Sequence, residues 1–447
     1  MKVLKFGGTS MANAVAIKKV ADIVTGDARA KYIVVSAPGR RDSSDEKVTD
    51  LLYDCIAERN EKGICDLALE RVAERFRGII SGLNLELDLT PEFNIIREQI
   101  NGGADADYAS SRGEFLSAIV TASLIGAKFI DAGDIVRFDM NGNFDPETTN
   151  RITEAKLRGI SGRVVIPGFY GKMPNGKVRT FSRGGSDVTG AIVARGVGAE
   201  VYENWTDVDG FMTVDPRIEP NPDIIEMLTY KELRELSYMG ANVLHPDSIF
   251  PVRRADIPIN IRNTFNPSAP GTLIVPTKKF MQGEYTRKGR LVTGIAGKTD
   301  FSAIYIEKSM MNTELGFLRR LLQILERHNI IVEHVPSGID TTTVVMESSQ
   351  LLPEVINSVL CEIKGELKAD SVEYWEGIAL IAVVGHGMNR KKGTASRVFS
   401  ALTSADVNIR MIDQGSSELN IIVGVESADY EKAIRAIYSE FKTDNEF

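Results

Sequence analysis

The sequence predicts an α/β protein: a three-layer αβα sandwich around a mostly parallel sheet, followed by two small βαββαβ units of ferredoxin-like kind. Three observations predict it. Short apolar runs alternate with segments of helical periodicity over the first part of the chain, which implies a sheet covered on both faces. A turn cluster, Asn266-Pro267-Ser268-Ala269-Pro270-Gly271, and a polar stretch over Lys278–Arg290 interrupt that texture. Beyond them the pattern changes to strands and helices that recur in a second copy.

In order, Val3–Phe6 is a short apolar strand broken by Gly7 and Gly8, after which Ala14, Ile17, Ala21 and Val24 recur at helical spacing. Tyr32–Val35 is a second strand, closed by Ala37-Pro38-Gly39; Lys128–Asp131, Val164–Pro167 and Glu200–Asn204 are later strands of the same kind. Ligands bind such sheets at the carboxyl ends of the strands, so the loops after these runs are the places to look. After the boundary, Phe301–Glu307 reads as a strand and Phe317, Leu318, Leu321, Leu322 and Leu325 as one helix face. Ile331–Val335 and Thr341–Met346 alternate like a hairpin, and Leu351–Ile363 is a second helix. The copy follows with strand Ile378–Val384 and a helix over Gly393–Leu402, and Gly316 aligns with Gly393, Leu322 with Phe399 and Leu325 with Leu402. Asn329-Ile330 aligns with Asn408-Ile409 only if two residues are added in the second copy. A repeat of roughly 75–80 residues is too long for a solenoid unit and fits two similar small domains. The expected boundaries are 1–283 for the sandwich, 284–299 for a linker, and 300–372 and 373–447 for the two small domains, which could exchange strands.

Composition narrows the function classes. The chain has 447 residues, 43% of them hydrophobic, and a net charge of −8. That suits a globular protein with a substantial core and argues against nucleic acid as a partner. Cys55, Cys65 and Cys361 are scattered, with no CxxC pair, so a disulfide framework or zinc site is not expected and a reducing cytoplasm is. The start leaves no room for a signal-peptide core. Apolar stretches such as Gly377–Gly385 are far short of the roughly 20 residues a membrane helix needs. Only four histidines occur, which disfavours chemistry that requires several.

Lys5-Phe6-Gly7-Gly8-Thr9-Ser10 has the parts of a phosphate site: a lysine at a strand end, glycines that let the backbone approach, and a following helix. Alone, it fits an ordinary tight strand-to-helix turn equally well. Gly171–Lys177 imitates a P-loop, but Val178 replaces the hydroxyl residue and Asn175-Gly176 is a hairpin dipeptide, so it reads as a turn. Phe181-Ser182-Arg183-Gly184-Gly185-Ser186-Asp187 is a second glycine-rich loop, before a helix over Val188–Arg195. Arg183 can clamp a carboxylate or phosphate, whereas Asp187, in the first helical turn, could be merely a favourable partner for the helix dipole, which leaves the adjacent Arg-Gly-Gly unexplained. Trp205-Thr206-Asp207-Val208-Asp209-Gly210 places acidic loop residues at a strand end, where they suit a nucleoside, its magnesium or a plain turn. Ser111-Arg112-Gly113-Glu114 opens a helix running to about Leu124, with Glu114 near its N-terminus, either unremarkable there or able to bind an ammonium group.

Together these segments resemble the aspartate kinases of the amino-acid-kinase superfamily. The start KFGGTS, Ser36-Ala37, Ser-Arg-Gly-Glu at 111–114, Ser-Arg-Gly-Gly-Ser-Asp at 182–187, Trp-Thr-Asp-Val-Asp-Gly at 205–210 and Val243-Leu244-His245-Pro246 occur in the family's order and span the chain. The resemblance implies an amino-acid-kinase-like sandwich with two C-terminal ACT domains. It implies ATP and Mg2+ as cofactors, L-aspartate as substrate and 4-phospho-L-aspartate as product, the first step towards lysine, threonine and methionine. It places Lys5 and Asp187 at the transfer centre, and Lys5, Gly7, Gly8, Thr9, Ser10, Thr206, Asp207, Met212 and Arg217 on the nucleotide. Ser36, Thr49, Glu114 and Arg183 fall to aspartate, and no protein ligand to a metal is assigned. For the ACT domains it implies an amino-acid effector, lysine or threonine, with Asn312, Gly316, Phe317, Ser337, Gly338 and Asp340 as effector loops. A homodimer through the ACT domains is expected, with a tetramer as the alternative and no membrane partner. Asn242 and Met212 depart from the family's usual lysine and tyrosine. Another amino-acid kinase, such as one acting on glutamate, and a catalytically inactive sensor are the competing readings; the length leaves no room for a fused homoserine dehydrogenase.

Overall fold

The computed structural model describes all residues except 183, 242, 243, 245, 288–290, 390 and 443–447. Arg183, expected on aspartate, and the departure at Asn242 lie outside the described residues. The chain divides into two compact units: residues 1–211, 226–230 and 243–286, and residues 212–225, 231–242 and 287–447.

The first unit is built on eight strands: β1 (Lys2–Phe6), β2 (Ala30–Val35), β3 (Lys128–Phe129), β4 (Val164–Pro167), β7 (Val201–Thr206), β8 (Met227–Thr229), β9 (Ile259–Asn263) and β10 (Thr272–Val275), in the order β3-β4-β2-β1-β7-β9-β10-β8. Every pairing is parallel except that of β9 with β10. Helices α1 (Ala14–Gly26), α2 (Val48–Lys62), α3 (Asp66–Gly82), α4 (Thr90–Asn101) and α5 (Ala106–Ile125) lie on one face, in one apolar cluster with Leu4, Phe6, Ile33, Val35 and Trp205. The alternate residues turn to the other face, where Tyr32 bonds the Leu157 carbonyl on α6 (Pro146–Leu157) and Tyr202 bonds the Asp187 carbonyl on α7 (Gly185–Val197). A period of two therefore sorts each strand between two helical layers. The P-loop imitation is a hairpin, β5 (Tyr170–Lys172) with β6 (Val178–Thr180).

The register levels the carboxyl ends. Phe6 is paired with Val35 and Trp205, and Val35 with Pro167. Gly7, Ser36 and Gly168 consequently leave the sheet along one edge, beside Thr206 at the end of β7.

The second unit holds a five-stranded antiparallel sheet in the order β12-β11-β13-β15-β14, formed by β11 (Gly294–Glu307), β12 (Thr341–Glu347), β13 (Ser371–Val384), β14 (Met411–Asp413) and β15 (Asn420–Glu426). Two of these strands serve both small domains. Phe301–Glu307 of β11 pairs with β12 and with the first half of β13, beside one apolar core. Gly294–Lys298, within the stretch read as linker, pairs with Val384–Leu380, beside a second core. The register breaks between Lys298 and Phe301, where Asp300 has φ 68°.

The repeat is more regular than the sequence reading held. Gly316 and Gly393 both precede a helix in the left-handed conformation, at φ 77° and 90°. The helices end on Asn329 and Asp406, at φ 55° and 51°, and Ile330 and Val407 bond back to Leu325 and Leu402, each at 3.0 Å. Asn329 thus matches Asp406 rather than Asn408, and no two-residue insertion is needed; either residue tolerates the left-handed turn. Two strand expectations also fail. Ile331–Val335 forms only an isolated bridge from His334 to Val345, next to Pro336, which cannot donate to a ladder. The strand expected at Asn408 begins at Met411.

Candidate active site

The strands' carboxyl edge collects the polar residues of the first unit. Lys5, one residue before the end of β1, turns to the α7 face and is 7% exposed. Its Nζ lies 2.6 Å from Asp187 Oδ1, in the first turn of α7, and donates to Asn204 Oδ1 at 3.4 Å. Asn204, paired with Lys5 across the ladder, donates from Nδ2 to the same Asp187 oxygen at 2.9 Å. A buried ammonium is tolerated only with such partners. The lysine is aimed by a carboxylate that is itself aimed by an amide. Sequence reasoning missed Asn204; its signal was an amide in the middle of a buried strand, where an apolar residue is the norm.

The loop after β1 is held to its neighbours by its backbone. Gly7 N–H donates to the Trp205 carbonyl at 3.0 Å, and Gly39 N–H to the Gly8 carbonyl at 2.9 Å. Thr9 is exposed, whereas Ser10 is fully buried with Oγ 2.7 Å from Thr264 Oγ1, so Ser10 ties the loop to the end of β9.

Glu114 occupies different surroundings. The helix carrying it starts at Ala106, capped by Asp105, which accepts from Tyr108 N–H at 3.0 Å. It does not open at Ser111, so Glu114 is two turns inside and gains little from the N-terminal dipole. It is 6% exposed, and Oε2 has no hydrogen-bond partner among the described residues. Burial pushes its acid up to about 8, against the opposing pull of the Ala37 backbone and the charges of Arg112 and Lys5. Gly113 lets the helix come this close to the loop after β2: a Cβ there would stand 2.7 Å from Ala37 Cβ. Ser36 starts that loop and Thr49 lies in the first turn of α2 at its end; both are half-buried. Arg112 is buried among the rings of Tyr108, Phe115 and Tyr170, at 4.7, 4.6 and 5.1 Å.

At the end of β7, Thr206 Oγ1 donates to Asp207 Oδ1 at 3.2 Å, and Asp207 is exposed. Asp209 accepts from Asn263 and Asn266 at 2.8 and 3.2 Å, which makes it a loop brace. Met212 and Arg217 belong to the second unit; Met212 bridges to Ile224, and Arg217 is paired with Asp215 at 2.6 Å. In the second unit, the loops at Asn312 and Asp340 meet: Asn312 N–H donates to the Ile339 carbonyl at 3.0 Å, and Met310 N–H to Asp340 Oδ1 at 2.7 Å. Ser337 Oγ lies 2.9 Å from Thr342 Oγ1, and Phe317 is core, 3% exposed. Among the described residues no cluster of three His, Cys, Asp or Glu could hold a metal, and no helix is long and apolar enough to cross a membrane.

Comparison with known proteins gives consistent results. The sequence profile of the Amino acid kinase family matches residues 1–263, and one of an ACT domain matches residues 381–441. The chain is 41% identical over 456 residues to Aspartokinase 3 of Bacillus subtilis, covering 99% of this chain and 98% of that one. It is 29% identical over 474 residues to Lysine-sensitive aspartokinase 3 of Escherichia coli, covering 98% of both. Among solved structures, Clostridium acetobutylicum aspartate kinase superposes with TM-score 0.91 at 47% identity, over 99% of this chain and 100% of that one. E. coli aspartokinase III in complex with aspartate and ADP (R-state) gives TM-score 0.72 at 27% identity, over 98% and 99%. The same enzyme in complex with lysine and aspartate (T-state) gives 0.72 at 27%, over 99% of both.

Proposed function

The chain belongs to the aspartokinases of the amino acid kinase family, and from that premise we propose how its residues divide the reaction. The enzyme transfers the γ-phosphoryl group of ATP to the β-carboxylate of L-aspartate, giving 4-phospho-L-aspartate and ADP. The acceptor has a reference pKa near 3.9 and is ionised at neutral pH. An oxygen of that carboxylate attacks the γ-phosphorus directly and the bond to the β-phosphate oxygen breaks, with no proton to remove. The obstacle is electrostatic, an anion meeting a polyanion, so catalysis falls to fixed positive charge and positioning.

The observation that carries the assignment is Lys5, buried and aimed by Asp187 and Asn204 at the carboxyl edge of the sheet. In this reading Lys5 offsets charge on the transferred group, and Gly7, Gly8 and Thr9 line the phosphates with Thr206 and Asp207 on the nucleotide side. Glu114 receives the substrate ammonium, which would supply the partner its Oε2 lacks among the described residues. Ser36 and Thr49 flank the acceptor, and Arg183 clamps a substrate carboxylate. Mg2+ takes one or two carboxylates beside phosphate oxygens and water. With no three-ligand cluster among the described residues, the donor set fits an ion that arrives on the triphosphate, with Asp207 available to it. Bound there, it would neutralise phosphate charge.

We assign an effector amino acid, lysine or threonine, to the junction of the loops at Asn312 and Ser337–Asp340. Feedback from there requires the effector to prefer one state of the enzyme, and segments 212–225 and 231–242, inside the kinase sequence but part of the second unit, are a covalent route for it. A homodimer through the regulatory unit is supported by apolar side chains left exposed there, including Leu315 at 100% and Ile331 at 69%. Purified protein with L-aspartate, ATP and magnesium should yield an acyl phosphate that hydroxylamine traps as a hydroxamate, inhibited by lysine or threonine. Better turnover with glutamate, or no hydroxamate from well-folded protein, would overturn the substrate assignment.

A further inference from the structure

Arg75, on α3, is 8% exposed, and its guanidinium reaches the loops that follow β1 and β2. Nη2 donates to the Gly39 carbonyl at 2.7 Å and to the Ala12 carbonyl at 3.2 Å. Nη1 lies 2.5 Å from Asp45 Oδ2. Asp45 is also gripped from its own loop: Arg41 donates from Nε and Nη2 at 2.9 and 2.7 Å and from its backbone N–H at 2.8 Å. Ala12 ends the turn that carries Gly7–Ser10, whereas Gly39 and Asp45 belong to the loop that runs from Ser36 past Ala37, beside Glu114, to Thr49. The two loops are in van der Waals contact where the clasp closes. A Cβ on Gly39 would stand 2.7 Å from the Gly8 carbonyl carbon, and Gly39 N–H already donates to Gly8.

We propose that Arg75 is a positioning residue that fixes the phosphate loop against the acceptor-side loop, so that one buried guanidinium sets the spacing between the two halves of the site. The proposal rests on the reading of Lys5–Ser10 and Ser36–Thr49 as those halves. The geometry explains why the position needs arginine. A planar fork can serve a carboxylate and two carbonyls at once, which the point charge of lysine cannot reproduce. It also explains the burial of a cation in a helical layer: its acceptors are backbone carbonyls of the loops, and its one carboxylate partner is shared with Arg41.

The test compares Arg75→Met, Arg75→Lys and Asp45→Asn in the full-length protein by steady-state kinetics and amide hydrogen exchange, with Lys5→Ala run beside them. Loops no longer held in register are competent only part of the time, and substrate binding must select that fraction, so Arg75→Met should raise KM for aspartate and for ATP on the order of tenfold each. Its kcat at saturation should stay within roughly threefold of wild type. Exchange should accelerate over residues 36–47 and 8–13 while the amides of α3 keep their protection. Arg75→Lys should restore part of the loss, and Asp45→Asn, which leaves both carbonyl contacts, should show a smaller rise. A folded Arg75→Met enzyme with both KM values and loop exchange unchanged overturns the proposal. Should that variant not fold, Asp45→Asn with wild-type KM values and exchange overturns it instead. Full activity in Lys5→Ala would instead remove the underlying reading of the site, whatever Arg75→Met does.

Discussion

Lys5 and Glu114 are both buried, charged in the proposed reaction and set at the same edge of one sheet, yet they are prepared in opposite ways. Lys5 is fully provided for within the protein, by a carboxylate at 2.6 Å and an amide that fixes it. Glu114 has an oxygen without a partner among the described residues and an acid pushed up to about 8. The contrast assigns them different parts of the work. A group that acts on the transferred charge must be in place before the substrates arrive, because reorganisation during the step is costly. A group that binds a cation can instead remain neutral until the cation comes.

The comparison breaks most severely at Lys5. Replacing it with alanine should lower kcat by about 10³-fold or more, at the upper end of what losing one preorganised donor costs. KM for aspartate should change much less, and circular dichroism should show an intact fold. Next comes Glu114→Gln, which should raise KM for aspartate by about 10²-fold, the scale of a buried charge pair lost with one partner left desolvated. The same change should stabilise the ligand-free protein at pH 8. The folded-state acid lies above its unfolded value of 4.5, so its favourable contribution is complete below pH 4.5 and is lost as pH climbs through 8. At about 1.4 kcal/mol per unit, glutamine in its place recovers up to roughly 4 kcal/mol at pH 8, readable by urea unfolding of both proteins. A Glu114→Gln protein less stable than wild type at that pH would contradict the assigned burial cost.

Smaller effects sharpen the picture. Asn204→Ala leaves the Lys5–Asp187 pair but removes the amide that orients it. A loss of about tenfold in kcat is expected, in keeping with the share of a supporting partner, with KM for aspartate unchanged. Asp340→Asn, in the second unit, should leave uninhibited turnover alone and shift only the effector concentration for half-inhibition.

These expectations also mark what the sequence could carry. The parallel sheet, the tight turn after β1 and the doubled small-domain texture were legible because they rest on local periodicity and on glycine and hydroxyl residues in short segments. Asn204 was not, because its role exists only through a ladder partner almost 200 positions away in the chain. Arg75 was hidden for the same reason: a helical arginine reads as a solvated face until the fold brings Gly39 and Ala12 beneath it. The helix that carries Glu114 was given the wrong start, since Asp105 caps eight residues before Gly113 comes against Ala37. The shared strand β11 escaped because Gly294–Lys298 borders a polar stretch and pairs only with a strand far downstream.

The central claim is that Glu114 accepts the ammonium of aspartate from a neutral starting state, while Lys5 is held in place beforehand by Asp187 and Asn204. It is tested most directly by the pH dependence of KM for aspartate, followed by hydroxamate formation from pH 6 to 9 in wild type and Glu114→Gln. The account predicts that the wild-type value falls by about tenfold per unit as pH rises towards 8 and then levels, since binding must first ionise the acid. In Glu114→Gln the profile should be high and flat over that range. A wild-type KM that does not change between pH 6 and 8, or a glutamine variant that retains the same slope, would contradict it.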